Sequence, residues 1–223
     1  MKAVLLVTVS VASLFAFTTH TVEQPEGTPL FITSIAPYKS GMIVAQKGVR
    51  KVTLYSSNYK ERLHEWELNE IPTGVTVDGE QIITTVAGEN ENGVYLLSAS
   101  VPSEKCFIKT ASGACAPLVD TRSGKLYVCN QFAGTISEID RKGKLVAEHD
   151  IFGGAFSSLE LRDGNLLLPC GDKHYYIIVD RKTGKELKRV TSDDIKGASF
   201  WFVAQVLQLN NGNLLICNWD GHT

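Results

Sequence analysis

SGKLYVCNQFAGTISEIDRKGKLVAEHDI, residues 123–151, is the stretch that decides the fold. A Ser-Gly turn leads into the apolar strand KLYVCN at 125–130. A short gap follows, then the strand TISEID at 135–140. A turn around RKGK at 141–144 leads into KLVAEHDI at 144–151. Alternation with period two gives TISEID and KLVAEHDI one wetter face each. Three strands joined by tight polar turns make an antiparallel unit, and CAPLVD at 115–120 supplies a fourth strand before the first turn.

The unit recurs. A turn ending in glycine occurs at Ser40-Gly41, Asp78-Gly79, Ser123-Gly124, Asp163-Gly164 and Asn211-Gly212, with glycine spacings of 38, 45, 40 and 48 residues. Each turn is followed by an apolar strand: MIVAQ, QIITTV, KLYVCN, NLLLPC and NLLICN. Each is preceded by another: FITSIAPY, PTGVTV, CAPLVD, FSSLELR and FVAQVLQL. Third strands read VTLYSS, VYLLSA, TISEID and YYIIVD, and fourth strands RLHEWEL, KCFIKT, KLVAEHDI and ELKRVT. Asp-Gly and Asn-Gly suit a two-residue I′ hairpin, which needs φ > 0 at both central residues. A repeat of about 40 residues with four strands per unit predicts an all-β fold, a β-propeller of four-stranded antiparallel blades. Four blades are complete and the fifth is partial, so the expected ring is incomplete or truncated. The chain then reads as the N-terminal part of a larger propeller or as a truncated gene product. NLLICN at 213–218 is apolar and free of charge and proline, so self-association through an open strand edge is expected.

Two stretches carry a family resemblance. GKLYVCNQFAGTISEIDRKGKLVAEHDI, from Gly124, resembles the YVTN repeat, with YVCN in place of YVTN and TISEID in place of the VSVID strand. YIIVDRKTGKELKRV, from Tyr176, resembles the repeat of PQQ-type propellers, in which a strand ending in Asp meets a Thr-Gly-Lys turn. Both resemblances imply the propeller fold and no particular activity. They do not imply bound quinone: the vicinal cysteine pair of many quinoprotein dehydrogenases and a CxxCH for onward electron transfer are absent from the sequence. No cofactor is expected.

A net charge of −2 and a pI near 6.2 carry no electrostatic footprint for nucleic acid. Residues 1–22 begin with a single lysine and an apolar run of about 15 residues, the length of a signal-peptide core and short for a membrane span. They read as a signal peptide or a retained N-terminal anchor, residues 23–29 as a linker, and 30–223 as the propeller. The expected location is therefore periplasmic or extracellular, with membrane contact only if the segment is retained. Five cysteines leave at least one thiol unpaired. Cys129, Cys170 and Cys217 fall at near-equivalent repeat positions and read as small buried residues. Cys106–Cys115 is the one disulfide pairing left open.

Loops entering the inner strands and loops leaving the second strands share one end of a propeller. They bring Asn130, Asp172, His174, Trp201, Asn218, Trp219 and Asp220 toward that end, the candidate ligand-binding residues. Against this, the tryptophans also suit gaps between blades, and Asn130 and Asn218 suit strand-end turns. His174 and His222 with Asp172 and Asp220 lack the spacing of a metal site. GxSxG, P-loop, GxGxxG and HExxH motifs are absent from the sequence. The reading leans to a non-enzymatic scaffold for an unidentified protein or small molecule. A metal-dependent lactonase-like hydrolase, with Glu160, Asn130 and Asn218 as the matching residue types, is the alternative.

Overall fold

The computed structural model describes residues 31–219 except 40, 59, 120–122, 141 and 152, together with a pairing of Val7–Thr8 with Thr19–His20. The linker at 23–29, Asp220 and His222 lie outside the described residues. After that two-stranded pairing, five further antiparallel sheets follow one another along the chain. The first blade holds Ile32–Tyr38, Gly41–Gln46, Lys51–Tyr55 and Arg62–Glu67. The second holds Ile71–Asp78, Gln81–Ala87, Asn92–Ser98 and Lys105–Lys109. The third holds Ala114–Val119, Leu126–Asn130, Thr135–Ile139 and Leu145–Asp150. The fourth holds Leu159–Glu160, Leu166–Cys170, Tyr175–Val179 and Glu186–Thr191. The fifth has two described strands, Phe202–Gln208 and Leu214–Trp219. Within each blade the strands pair in chain order from the inside outward, and the sheets do not close into a ring.

The second strands of the third and fourth blades are buried on both faces because each face meets a different blade. In the fourth blade Leu166, Leu168 and Cys170 pack toward the third, with Tyr127, Cys129 and Ile136. Leu167 points the other way, into a cluster with Phe200, Val203 and Val206 of the fifth. Leu126 and Val128 face the second blade, beside Ile83 and Val94. One strand thus belongs to two cores, and period-two alternation selects the core rather than core against solvent.

A belt of hydrogen bonds ties the inner strands together. Thr33 Oγ1 donates to Pro72 O at 2.8 Å, Thr73 Oγ1 to Ala114 O at 2.6 Å, and Ser157 Oγ to Ala204 O at 2.8 Å. The Cys115 thiol makes the weaker link to Ala155 O at 3.7 Å. Each blade donates to the next, so the belt runs one way through all five.

The turns depart from the I′ expectation. Asp78 pairs with Gln81, so the two-residue loop is Gly79-Glu80, with φ of +59° at the glycine and none positive at Glu80. That is the II′ pattern, with glycine first. At the fourth and fifth blades the loops are three residues long. Gly164 N–H donates to Leu161 O and Gly212 N–H to Leu209 O, and the glycines take φ of +89° and +88°. This is a type I turn followed by a left-handed residue. In the first blade the turn lies one residue earlier than expected. Tyr38 pairs with Gly41, which is a strand residue, and Lys39 carries the positive φ of 51°. Gly41 is required for another reason: a Cβ there would lie 2.2 Å from Tyr55 O of the neighbouring strand.

The outer hairpins explain the Asp-turn-Gly-Lys signature. Asp140 Oδ1 accepts the N–H groups of Lys142 and Lys144, and Asp180 Oδ1 those of Lys182 and Thr183. These bonds hold both carboxyls below the usual aspartate range, led by the Lys144 N–H for Asp140 and the Thr183 hydroxyl for Asp180.

The inner strand of the fourth blade is shorter than FSSLELR suggested. Phe156 N–H still donates to Pro169 O at 2.8 Å. Pro169 has no N–H to return the bond, so the ladder is confined to Leu159 and Glu160.

Candidate functional site

His174 follows a short 3-10 turn, Gly171–Lys173, between the second and third strands of the fourth blade. It takes a left-handed conformation with φ of 60°. Its Nδ1 bonds to the backbone carbonyl of Trp201, in the loop that enters the fifth blade. A carbonyl only accepts, so Nδ1 carries the proton and Nε2 is the other tautomeric position. The imidazole and indole rings lie 5.6 Å apart, tilted by 43°.

The loop carrying Trp201 is held at both ends. Asp194 Oδ2 accepts Thr191 N–H at 2.8 Å, and Ser192 Oγ accepts Phe200 N–H at 2.6 Å. Asn218 completes the clamp: its Oδ1 accepts Trp201 N–H at 2.9 Å and its Nδ2 donates to Ser199 O at 2.6 Å. Asn218 is thus a loop-positioning residue. Trp201 remains 58% exposed and Trp219 68% exposed. Trp219 stands edge-on to Phe202 at 5.5 Å, and Phe202 edge-on to Phe156 at 5.2 Å. The result is a row of rings across the fourth and fifth blades with indole faces in solvent.

Asp172 lies in the turn just before His174, and its carboxylate accepts Gln131 Nε2 of the third blade at 2.8 Å. This bond bridges the third and fourth blades at the lip of a groove of about 730 Å³. Phe132, Asp150, Gly154 and Lys173 are among the residues that line it.

Asn130 is different. It is fully buried, and its Nδ2 donates to Thr135 Oγ1 and Ser137 Oγ inside the third blade. It fixes the strand end rather than the surface. The structure therefore places Asp172, His174, Trp201, Asn218 and Trp219 along one end of the fourth and fifth blades, and Asn130 inside the third blade.

The cysteines carry no disulfide. Cys106 is exposed on an outer strand of the second blade and Cys115 is buried on the inner strand of the third; all five thiols are free. Burial pushes the thiols of Cys115 and Cys170 up to about 12, and raises that of Cys129. They are packing groups at neutral pH. Cys129 and Cys170 are buried as expected, whereas Cys217 is exposed on the last described strand of the fifth blade.

Among the described residues no three His, Cys, Asp or Glu side chains converge as a metal-binding group. Glu160 faces Arg181 within its own blade, with Nη1 at 4.0 Å. Asn130, Glu160 and Asn218, the lactonase-type donor set, thus make contacts in three separate blades.

Sequence reasoning passed over the centre of the molecule. The inner strands of all five blades line one open cavity of about 620 Å³. Hydroxyl or thiol residues at equivalent inner-strand positions, Thr33, Thr73, Cys115 and Ser157, were the legible signal for the belt around it.

The model of the family described as Mal s 1 allergenic protein-like matches residues 111–223. No curated protein matches the sequence significantly. Among solved structures, a protein of unknown function from Bacteroides caccae is 21% identical, with a TM-score of 0.73 over 92% of this chain and 77% of that one. Virginiamycin B lyase from Staphylococcus aureus is 10% identical, with a TM-score of 0.70 over 84% of this chain. This chain spans 63% of the lyase, less than two thirds. The β-propeller domain of Myceliophteria thermophila Cps50 (Swd1) is 15% identical, with a TM-score of 0.65 over 85% of this chain and 67% of that one. At these identities the likeness shows the fold, a β-propeller.

Proposed function

This chain belongs to the Mal s 1 allergenic protein-like family, and from that premise and its propeller fold we propose that it is an exported binding scaffold. It holds a protein segment or small molecule on the end of the fourth and fifth blades. The observation that carries this reading is the pair of exposed indoles, Trp201 and Trp219, with His174 against Trp201 and Asp172 in the turn that leads into His174. A monomer surface rarely leaves two tryptophans bare, and rigid aromatics flanked by polar groups are the usual anchors of recognition.

The test is a thermal-shift screen of a library of small molecules and short peptides. Ligands of this face should quench indole emission, and their affinity should fall at least about tenfold, or ~1.4 kcal/mol, in Trp201→Ala. The melting midpoint should stay unchanged, since that side chain is exposed. Affinity that survives the substitution would take the site off this face. If EDTA abolished a hydrolytic activity of the purified protein, the metal-dependent hydrolase reading would replace this one.

Export belongs to the same proposal and rests on residues 1–22. Intact-mass measurement of protein secreted by a competent host should show a chain starting near residues 18–24. Soluble cytoplasmic protein that retains Met1 would overturn this part.

A further inference from the structure

Building on the end-face scaffold proposed above, we infer that its ligand is a neutral oligosaccharide of rings with equatorial hydroxyls, running from Trp201 into the groove between the third and fourth blades. Phe132 extends the exposed aromatics to a third blade. It lies just past the second strand of that blade, lines the groove of about 730 Å³ and is 77% exposed. Its ring is held against backbone: a Cβ on Gly113 would lie 2.9 Å from the ring, so only glycine admits it. On the other side of the groove Lys173 leads directly into His174, whose ring lies 5.6 Å from that of Trp201. Neighbouring sheets stack about 10 Å apart. Platforms on the third blade and at the entry to the fifth are therefore too far apart for one sugar ring and call for a chain of them.

The side chains set the ligand class. A pyranose ring with equatorial hydroxyls carries C–H groups on both faces, and these leave water favourably against an aromatic face. A rigid platform adds little ordering cost. The rim of the sugar carries hydroxyls that both donate and accept, and they need partners of both kinds when dehydrated. The groove supplies both. Asp172 Oδ2 is taken by Gln131 Nε2, while Asp172 Oδ1, Asp150 and Lys173 make no hydrogen bond or ion pair among the described residues. His174 spends its Nδ1 proton on Trp201 O, which leaves Nε2 as a further acceptor. Two carboxylates against one ammonium make the groove repel an anion. A peptide anchor needs an apolar pocket to enter. Here Ile151 is buried, and Gly134, Gly153 and Gly154 line the groove without side chains. The exposed rings offer faces for stacking and the groove offers polar partners, the division that a sugar presents in return.

The test uses cellopentaose, a soluble neutral chain with equatorial hydroxyls, as the probe. The same chain oxidised to a carboxylate on every ring is the anionic control, and glucose the single-ring control. Titration calorimetry on the full chain should show saturable binding of cellopentaose and at least tenfold weaker binding of either control. Phe132→Ala and Trp201→Ala should each weaken cellopentaose at least tenfold, and both side chains are exposed, so the fold should survive their loss. Asp172→Ala should weaken it at least threefold. Leu187→Ala, on the outer strand of the fourth blade, should leave it unchanged. Equal affinity for the oxidised chain, or insensitivity to Phe132→Ala, would overturn the oligosaccharide. Peptides that bind in a Trp201-dependent manner where cellopentaose does not would overturn it as well and leave the end-face scaffold standing. If neither peptide nor sugar binding responded to Trp201→Ala, both would fall.

Discussion

Replacing Leu168 with alanine should destabilise the protein by about 2–5 kcal/mol, the range for a fully buried leucine whose surroundings relax only in part. Leu168 has no solvent exposure and lies on the second strand of the fourth blade, opposite Ile177. Its side chain enters the cluster shared with Tyr127, Cys129 and Ile136 of the third blade. The cavity left behind would lie between two sheets held by their own ladders, so neither can collapse freely to fill it. Urea denaturation followed by far-ultraviolet circular dichroism measures the effect. Leu187→Ala is the control: Leu187 is exposed on the outermost strand of the same blade, and its loss should change stability by less than about 0.5 kcal/mol. A change below 1 kcal/mol for Leu168→Ala would mean that the third and fourth blades do not pack as described.

The second large effect concerns association. Purified as a separate polypeptide, residues 25–223 should self-associate as concentration rises, and Leu215→Lys should raise the monomer fraction. The complete blades end in charged outer strands, RLHEWE, KCFIK, LVAEHD and ELKRVT. Charge on an edge strand opposes pairing with another chain. The fifth sheet ends instead in LLICNW at Leu214–Trp219. Leu215 is 56% exposed there, and no third strand pairs with it among the described residues. A lysine at 215 should shift the concentration for half-association by roughly tenfold, equivalent to ~1.4 kcal/mol. Light scattering after size exclusion, at several loading concentrations, reads the shift. A monodisperse monomer with a cooperative melt at every concentration would reject the open edge.

The repeat was legible because its signals are local. A glycine with φ > 0 is demanded by the turn itself, as at Gly79, Gly164 and Gly212. An aspartate that accepts N–H groups two to four residues ahead, as at Asp140 and Asp180, needs nothing beyond its own hairpin. Strand order within a blade follows from such turns. The same local reading failed where a strand's fate depends on a partner. Gly41 looked like a turn residue and is a strand residue pressed against Tyr55 O. Pro169 looked like part of an ordinary apolar strand and cuts short the ladder on its inner side.

The candidate site shows the same division. Sequence order placed Asp172, His174, Trp201, Asn218 and Trp219 at one end of the blades, because which loops share an end depends only on strand alternation. What each side chain does there depends on groups far away in the chain. Asn130 and Asn218 occupy equivalent repeat positions, yet one is sealed inside its blade by Thr135 and Ser137, and the other clamps a loop beneath a bare indole. Cys129 and Cys217 are equivalent too, and the first is buried against the fourth blade while the second is exposed. The sequence by itself determined the blades, since turn chemistry and period-two alternation act over a few residues. Only the tertiary structure decided which apolar face meets which blade and which hydroxyls are spent on the inter-blade belt. Those outcomes are set by contacts between residues about 40 positions apart, and no local pattern encodes them.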